Sequence, residues 1–223
     1  AKLLILTPII IFFLQFRNEL ETMEPTNSAE TLHLRLNAEN FREQLLAHPK
    51  KDSRLTSVQI EIANEHFLLI PNAFDSPTYR LGFLEKALGE NALVGKEIQQ
   101  QDIPAEDANL VFLVPSDWKD HISAHFTYAK ITYTHTLASC LQRNDQTLTL
   151  FIEGKLAFAS LYQSNKLQLA NVFPFESAIE LAFYLQSIRD AFSLNWTLYP
   201  PLLLAGSAEI ADASLYQIPY VKS

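Results

Sequence analysis

Residues 147–208 read TLTLFIEGKLAFASLYQSNKLQLANVFPFESAIELAFYLQSIRDAFSLNWTLYPPLLLAGSA and carry the clearest structural signals in the chain. Two largely apolar runs, 147–152 and 156–162, flank the turn residues Glu153-Gly154-Lys155, a pattern typical of a β-hairpin. A second turn at 163–165 leads into a third apolar run. The stretch therefore predicts three consecutive antiparallel strands.

A helix and a fourth strand are predicted after these three strands. Ser177 and Glu180 form a capping-box pattern, in which each side chain can accept an unpaired backbone N–H at the start of a helix. The residues that recur at helical spacing on one face are Leu181, Leu185, Ile188 and Phe192. The apolar run 202–204 follows two prolines and is typical of a strand covered on both faces. This order predicts a mixed sheet with a helix on one face.

The beginning of the chain shows the same order of elements without a repeat of the sequence. Residues 3–6 and 9–16 are rich in β-branched and aromatic residues, which predicts two buried strands. Strict alternation at 31–36 predicts a third strand, and Asn40 is expected to cap a short helix. The alternating residues of the next strand are Val58, Ile60 and Ile62. We interpret the chain as a duplicated βββαβ architecture of the α/β class.

The apolar run at 3–16 has an alternative interpretation as a membrane anchor or signal peptide. It is shorter than the ~20 apolar residues that span a bilayer, and Thr7-Pro8 divides it. The residues after it are bulky and polar, whereas signal-peptide cleavage needs small residues. We favour the buried strands and expect no stable membrane insertion and a cytoplasmic location. Association with a membrane through this run stays open.

The first half is predicted to contain an insertion. Strand signals at 67–70 and 110–114 flank a helix signal that begins at Ser76-Pro77. The polar stretch 90–109 is predicted to be exposed or mobile. We therefore divide the chain into a first half, residues 1–135, with an inserted subdomain at about 65–115, and a second half, residues 136–223.

The composition argues against several classes of function. The chain has 17 basic and 25 acidic residues, and no cluster of Lys or Arg offsets its formal charge of -8. Nucleic-acid binding is disfavoured because it depends on neutralising phosphates. The one cysteine, Cys140, excludes an internal disulfide and a cysteine-based zinc site. Five glycines in 223 residues include neither a GxxxxGK[ST] nor a GxGxxG motif, so no glycine-rich phosphate loop is present.

Two further groups of residues were considered as sites. Asp117, His121 and His125 are spaced four apart and share one face of a predicted helix, and two histidines at that spacing can chelate a metal. We interpret them as the solvated face opposite Trp118 and predict no metal site. Cys140 lies in an apolar helical context, which predicts a small core residue with no catalytic role.

Three segments together carry a family resemblance: NLVFLVPSDW at 109–118, LQLANVFPFESAIELAFYLQSIRDAF at 167–192, and LLLAG at 202–206. With the duplicated order of elements, they resemble an uncharacterised bacterial family that has the actin-like ATPase (ribonuclease H-like) fold. The resemblance covers about residues 31–208. The layout is also similar to pilus-assembly and cell-division actin-like proteins, which carry an insertion in the first half.

The resemblance implies a position for a nucleotide site. The ATP-binding members of this superfamily hold nucleotide in a cleft between the two halves, where a glycine-containing hairpin from each half grips the phosphates. Glu153 and Gly154 would then face the phosphates, and Gly206 and Ser207 would lie at the turn that receives adenosine. The first-half hairpin would be Thr7-Pro8, which has neither glycine nor carboxylate.

These departures from the superfamily pattern favour a degenerate nucleotide site. The expected protein has no catalytic residues and no cofactor, and it acts as an interaction or scaffold module for an unidentified protein partner. Homo-oligomer formation stays open. The alternative is an ATP-binding switch or weak ATPase that uses ATP with Mg²⁺.

Overall fold

The computed structural model describes residues 30–48 and 55–204. In chain order the elements are β1 (Glu30–Leu36), α1 (Phe41–Leu46), β2 (Leu55–Ile62), β3 (Phe67–Pro71), α2 (Pro77–Leu88), α3 (Glu90–Leu93), β4 (Lys96–Ile103), β5 (Ala108–Pro115), α4 (Ser116–His125), β6 (Lys130–His135), α5 (Leu137–Cys140), β7 (Leu148–Glu153), β8 (Leu156–Gln163), β9 (Lys166–Pro174), α6 (Ala178–Ala191) and β10 (Leu202–Leu203). Their strands form a first sheet, β1-β2-β6, a middle sheet, β3-β5-β4, and a last sheet, β10-β7-β8-β9.

The last sheet confirms the order predicted from residues 147–208. Strands β7, β8 and β9 form an antiparallel meander, and β10 returns parallel to β7. The Ser177 hydroxyl accepts the N–H of Glu180 at 3.2 Å, and the Glu180 carboxylate accepts the N–H of Glu176 at 2.8 Å. Helix α6 therefore begins as predicted. Its buried face, formed by Leu181, Leu185 and Ile188, packs on the apolar face of the sheet.

The first sheet contains three parallel strands among the described residues, with β2 between β1 and β6. Strand β1 lies beside the strand that follows the helix, as β7 lies beside β10 in the last sheet. Its position therefore corresponds to that of the first strand of the last sheet, whereas the sequence analysis placed 31–36 third. The two strands predicted at 3–6 and 9–16 lie outside the described residues.

Residues 90–109, predicted to be exposed or mobile, are mostly exposed or partly exposed, and they contain a strand of the middle sheet that was not predicted. Lys96–Ile103 is strand β4, which pairs antiparallel with β5 along its whole length. Strand β5 is almost entirely buried, so its backbone N–H and C=O groups need partners on both sides. A polar strand can supply those partners, because the pairing uses only main-chain atoms. The division into two halves and an insertion stays a prediction.

Two core clusters join the three sheets. The central cluster consists of Ala63, Ile103, Leu110, Leu137, Cys140, Phe151, Phe158 and Val172. It contains residues of the middle and last sheets, two residues of helix α5, and Ala63, which directly follows β2. In the second cluster, Phe112 and Val114 of the middle sheet pack against the first sheet.

Candidate functional site

A cleft of about 340 Å³ lies where the loops of the first sheet meet the β7–β8 turn of the last sheet. Its lining residues are Asn37, Ala38, Glu39, Ala63, Asn64, Glu65, His66, Lys96, Pro115, Trp118, Glu153, Gly154, Lys155 and Leu156. The sequence-predicted residues Glu153 and Gly154 are both among them. Gly206 and Ser207, predicted at the adenosine turn, lie outside the described residues.

Asn37 organises the loop that follows β1. Its side-chain oxygen accepts the N–H groups of Glu39 at 2.8 Å and Asn40 at 2.9 Å, and its own N–H donates to the Asn40 side-chain oxygen at 2.8 Å. Asn40 was predicted to cap α1, but its side chain makes no cap hydrogen bond. That prediction is wrong because Asn40 is used within the turn. The Asn37 amide also donates to Glu153 at 3.1 Å, which joins the two sides of the cleft.

Gly154 suits the tip of the β7–β8 turn for two reasons. Its φ of +55° lies in the left-handed region, which non-glycine residues rarely adopt. A Cβ at this position would also lie 3.3 Å from a carboxylate oxygen of Glu39. The loop that faces Gly154 among the described residues is therefore 37–39, which carries a carboxylate. The expected facing turn, Thr7-Pro8, lies outside them.

Arg35 is held among carboxylates beside the cleft. Its Nε lies 3.0 Å from a Glu61 oxygen, its Nη2 donates to the other Glu61 oxygen at 3.1 Å, and its Nη1 lies 3.9 Å from Glu153. The guanidinium carbon is 4.3 Å from the centre of the Phe151 ring. The guanidinium thus links strands β1 and β2 to the end of β7.

Glu153 lies in an environment that disfavours its charge. Burial is the main cause that raises the pKa of its carboxyl, and Arg35 and the Asn37 hydrogen bond partly offset it. The nearby carboxylates of Glu61 and Glu39 raise the pKa further. The site therefore concentrates negative charge where the resemblance would place phosphate groups.

The Glu153→Gln variant is expected to become more stable relative to wild type as pH rises. A carboxyl whose pKa is raised in the folded state stabilises the fold when protonated, and this contribution disappears as pH rises from the ordinary value of 4.5 through the folded value. Glutamine keeps an oxygen that can accept from Asn37 but does not ionise. Urea unfolding of both proteins between pH 4.5 and 8 measures the difference.

The exposed Glu85 of helix α2 supplies a matched control. Glu85→Gln removes one carboxylate from an exposed position and so corrects for the change in net charge. A pH dependence of Glu153→Gln no larger than that of Glu85→Gln would contradict the effect assigned to Glu153.

The histidine and cysteine residues considered as candidate sites lie in the core or make no metal-binding group among the described residues. His125 is buried, and its Nε2 lies 2.9 Å from the carbonyl oxygen of His48, so its assignment to a solvated face is wrong. Cys140 is a buried free cysteine, and burial raises the pKa of its thiol to about 12, which confirms the core assignment. Residues 30–48 and 55–204 contain no group of three or more His, Cys, Asp or Glu side chains that could hold a metal.

Three residues of the cleft region were missed by the sequence analysis. Asn37, Arg35 and Glu61 belong to or follow strands that were predicted, but no local signal pairs them with Glu153. The alternation of 31–36 places Arg35 on the polar face of its strand. This position was the only signal in the sequence that could have suggested a polar contact for Arg35. Parallel pairing then puts Arg35 opposite Glu61, as the register shows.

Comparison with known proteins identifies the family and the fold of the chain. Residues 16–220 match the model of a family described as protein of unknown function (DUF3822). The chain belongs to the DUF3822 family. No curated protein matches the chain. Among the described residues of this DUF3822 protein, no helix combines the length and apolar character needed to cross a membrane.

Two solved structures are similar to this DUF3822 protein. One is a Bacteroides thetaiotaomicron VPI-5482 protein with an actin-like ATPase fold and unknown function, at 12% identity and a TM-score of 0.63 over 84% of this chain and 86% of that one. It confirms the predicted actin-like fold and no more. The other is the cytoplasmic domain of EpsL, an inner membrane component of the Vibrio cholerae type II secretion system. It is 17% identical, and the match covers 80% of this chain and 82% of that one with a TM-score of 0.40.

Proposed function

We propose that this DUF3822 protein is a non-catalytic protein-interaction or scaffold module whose cleft is a degenerate nucleotide site. The observation that carries the proposal is the hydrogen bond from Asn37 to Glu153, with Arg35 beside the same carboxylate. These contacts join the two loops that face each other across the cleft, 37–39 and 153–155. The Glu153 carboxylate therefore already has partners within the protein.

The charges of the cleft support the same proposal. Phosphate sites in proteins offer main-chain N–H groups, glycines and cations. Here Glu39, Glu65 and Glu153 line the cleft, and of its two lysines Lys155 pairs with Glu176 outside it. A nucleotide phosphate placed at Gly154 would therefore meet the carboxylate of Glu39 at close range.

The proposal includes an unidentified protein partner and a cytoplasmic location. The fold alone does not supply either, because one fold hosts many functions. Fractionation of cells that produce the tagged full-length chain tests the location, and recovery in the membrane fraction would contradict it.

Calorimetric titration with ATP and Mg²⁺ tests the assignment of the cleft. The wild-type protein is expected to give no saturable heat, and its melting temperature is expected to stay unchanged with the nucleotide present. Ligand that binds the folded state would raise that temperature. Saturable binding would favour the alternative, an ATP-binding switch or weak ATPase.

Two variants then show whether any observed binding uses this cleft. Gly154→Val adds a β-branched side chain at a positive φ and beside Glu39, so it should abolish binding in the cleft. The double variant Glu39→Gln, Glu153→Gln removes two carboxylates and should strengthen such binding. Binding that neither variant changes would belong to another site and would leave the proposal for the cleft standing.

A further inference from the structure

An apolar groove of about 540 Å³ lies between strand β3 and helix α2, away from the cleft. Its lining residues are Leu68, Leu69, Ile70, Pro71, Phe74, Phe83, Lys86 and Ala87. Two of its aromatic rings are open to solvent: Phe74 is 62% exposed and Phe83 is 40% exposed. Four consecutive residues of β3 line the groove. Because successive side chains of a strand point to opposite faces, the groove must run along the edge of the strand.

The edge of β3 along this groove has unused main-chain groups. Among the described residues β3 pairs only with β5. The His66 carbonyl accepts the Leu113 N–H at 3.0 Å, and the Asn72 N–H donates to the Asp107 carbonyl at 2.9 Å. In an antiparallel ladder such groups alternate, so Phe67 and Leu69 direct their N–H and C=O groups away from β5. Neither residue makes a main-chain hydrogen bond to another described residue on that side.

Lys86 supplies the charge that selects the ligand. It is the one charged residue that lines the groove in the described part of the chain, and it makes no ion pair there. Asp75, the acid of the β3–α2 connection, is paired with Arg80 at 2.8 Å. Among the described residues, the groove therefore combines a free strand edge, apolar walls and one unpaired cation.

We propose that this groove binds an extended segment of a partner protein that adds as a strand to β3. The segment would place apolar side chains against Phe74 and Phe83 and a carboxylate on Lys86. Strand addition to an open edge is a recurrent mode of peptide recognition, in which the main chain gives affinity and the side chains give specificity. The inference rests on the proposed interaction function and assigns it a surface.

A second copy of the chain fits this groove less well. Two-fold pairing through β3 would offer only the sequence FLLIP, which contains no carboxylate. A symmetric contact through the same groove would also bring two unpaired Lys86 side chains to one interface. The partner segment therefore carries a carboxylate, which strand β3 of a second copy lacks.

Selection of random peptides displayed on phage against the full-length protein tests the proposal. The selected peptides are expected to share apolar residues at every second position and one Asp or Glu. A synthetic peptide with the shared pattern, measured by fluorescence anisotropy, is expected to bind at least about ten-fold more weakly to Lys86→Glu, since a charge-assisted hydrogen bond would be replaced by repulsion between two carboxylates. Changing the peptide acid to lysine should restore binding to that variant.

Two further variants test the strand edge and the wall. Leu69→Pro removes an N–H that the β3–β5 ladder does not use, and proline is tolerated at strand edges. Phe83→Ser removes one aromatic wall without touching the strand. Both should weaken peptide binding by about ten-fold or more, the scale of one lost hydrogen bond or buried ring contact. Phe183→Ser, at an exposed aromatic of helix α6, should leave it unchanged.

Three results would overturn the proposal. They are the absence of a shared peptide pattern, binding that Leu69→Pro and Phe83→Ser leave unchanged in folded variants, and a concentration-dependent dimer that Leu69→Pro dissociates. The last result would assign the groove to a second copy. ATP binding that Gly154→Val abolishes would instead contradict the assignment of the cleft and leave the peptide results as they stand.

Discussion

Replacing Phe158 by alanine is expected to lower the free energy of unfolding by about 3–5 kcal/mol. Phe158 is fully buried in the central cluster, where its ring lies 6.4 Å from that of Phe151 and 5.9 Å from that of His135. Truncation would leave a cavity at the point where all three sheets meet. The large loss follows because residues from three sheets would have to move to fill it. Urea unfolding at pH 7, followed by circular dichroism, measures the change.

Phe183 provides the matched control for this substitution. Phe183 lies in helix α6, which packs on the last sheet, but its side chain is 65% exposed. Phe183→Ala is expected to change the free energy of unfolding by less than about 0.5 kcal/mol, as for most surface substitutions. Equal losses in the two variants would contradict the central position assigned to Phe158.

His135 is expected to make the protein lose stability as pH falls below about 6.5. Its Nε2 donates to the Asn64 carbonyl at 3.0 Å, and its Nδ1 accepts the N–H of Leu137 at 3.2 Å, a combination that only the neutral ring allows. Burial lowers the pKa of this ring to about 3. The unfolded chain takes up a proton below the ordinary value of 6.5 while the folded chain does not. The free energy of unfolding should therefore fall by up to ~1.4 kcal/mol per pH unit between those values.

Proton NMR of the histidine rings gives the direct measurement for His135. Its ring signals should stay at the neutral position through pH 5. A midpoint near 6.5 for His135 would contradict the neutral buried ring. As pH falls toward 4.5, protonation of Glu153 raises the free energy of unfolding, whereas His135 lowers it. The Glu153→Gln variant should therefore show the effect of His135 on stability more clearly in unfolding experiments.

The elements of the last sheet could be predicted because their signals are local. A turn that contains Gly154, two apolar runs and a capping box at Ser177 each fix the backbone within a few residues. Strand β4 could not be predicted from its own residues. Its strand structure depends on pairing with the buried β5, and the sequence of 96–103 is polar enough to be taken for a loop.

Only one side of the cleft could be predicted, because only that side has a local signal in the sequence. Glu153 and Gly154 can be recognised in the sequence as part of a hairpin turn, and both line the cleft. Their partners Asn37 and Arg35 lie more than a hundred residues earlier in the chain. No spacing within the sequence connects them, and the contact exists only because the first sheet is packed against the last.

The sequence by itself determined the α/β class, the meander with its capped helix, and the absence of a glycine-rich phosphate loop, because each depends on residues that are neighbours in the chain. Only the tertiary structure decided which loop faces Gly154, that Arg35 lies among carboxylates, and that within residues 30–48 and 55–204 β3 has an open edge beside an unpaired Lys86. These features depend on contacts between residues distant in sequence, which form when separate apolar faces are buried together.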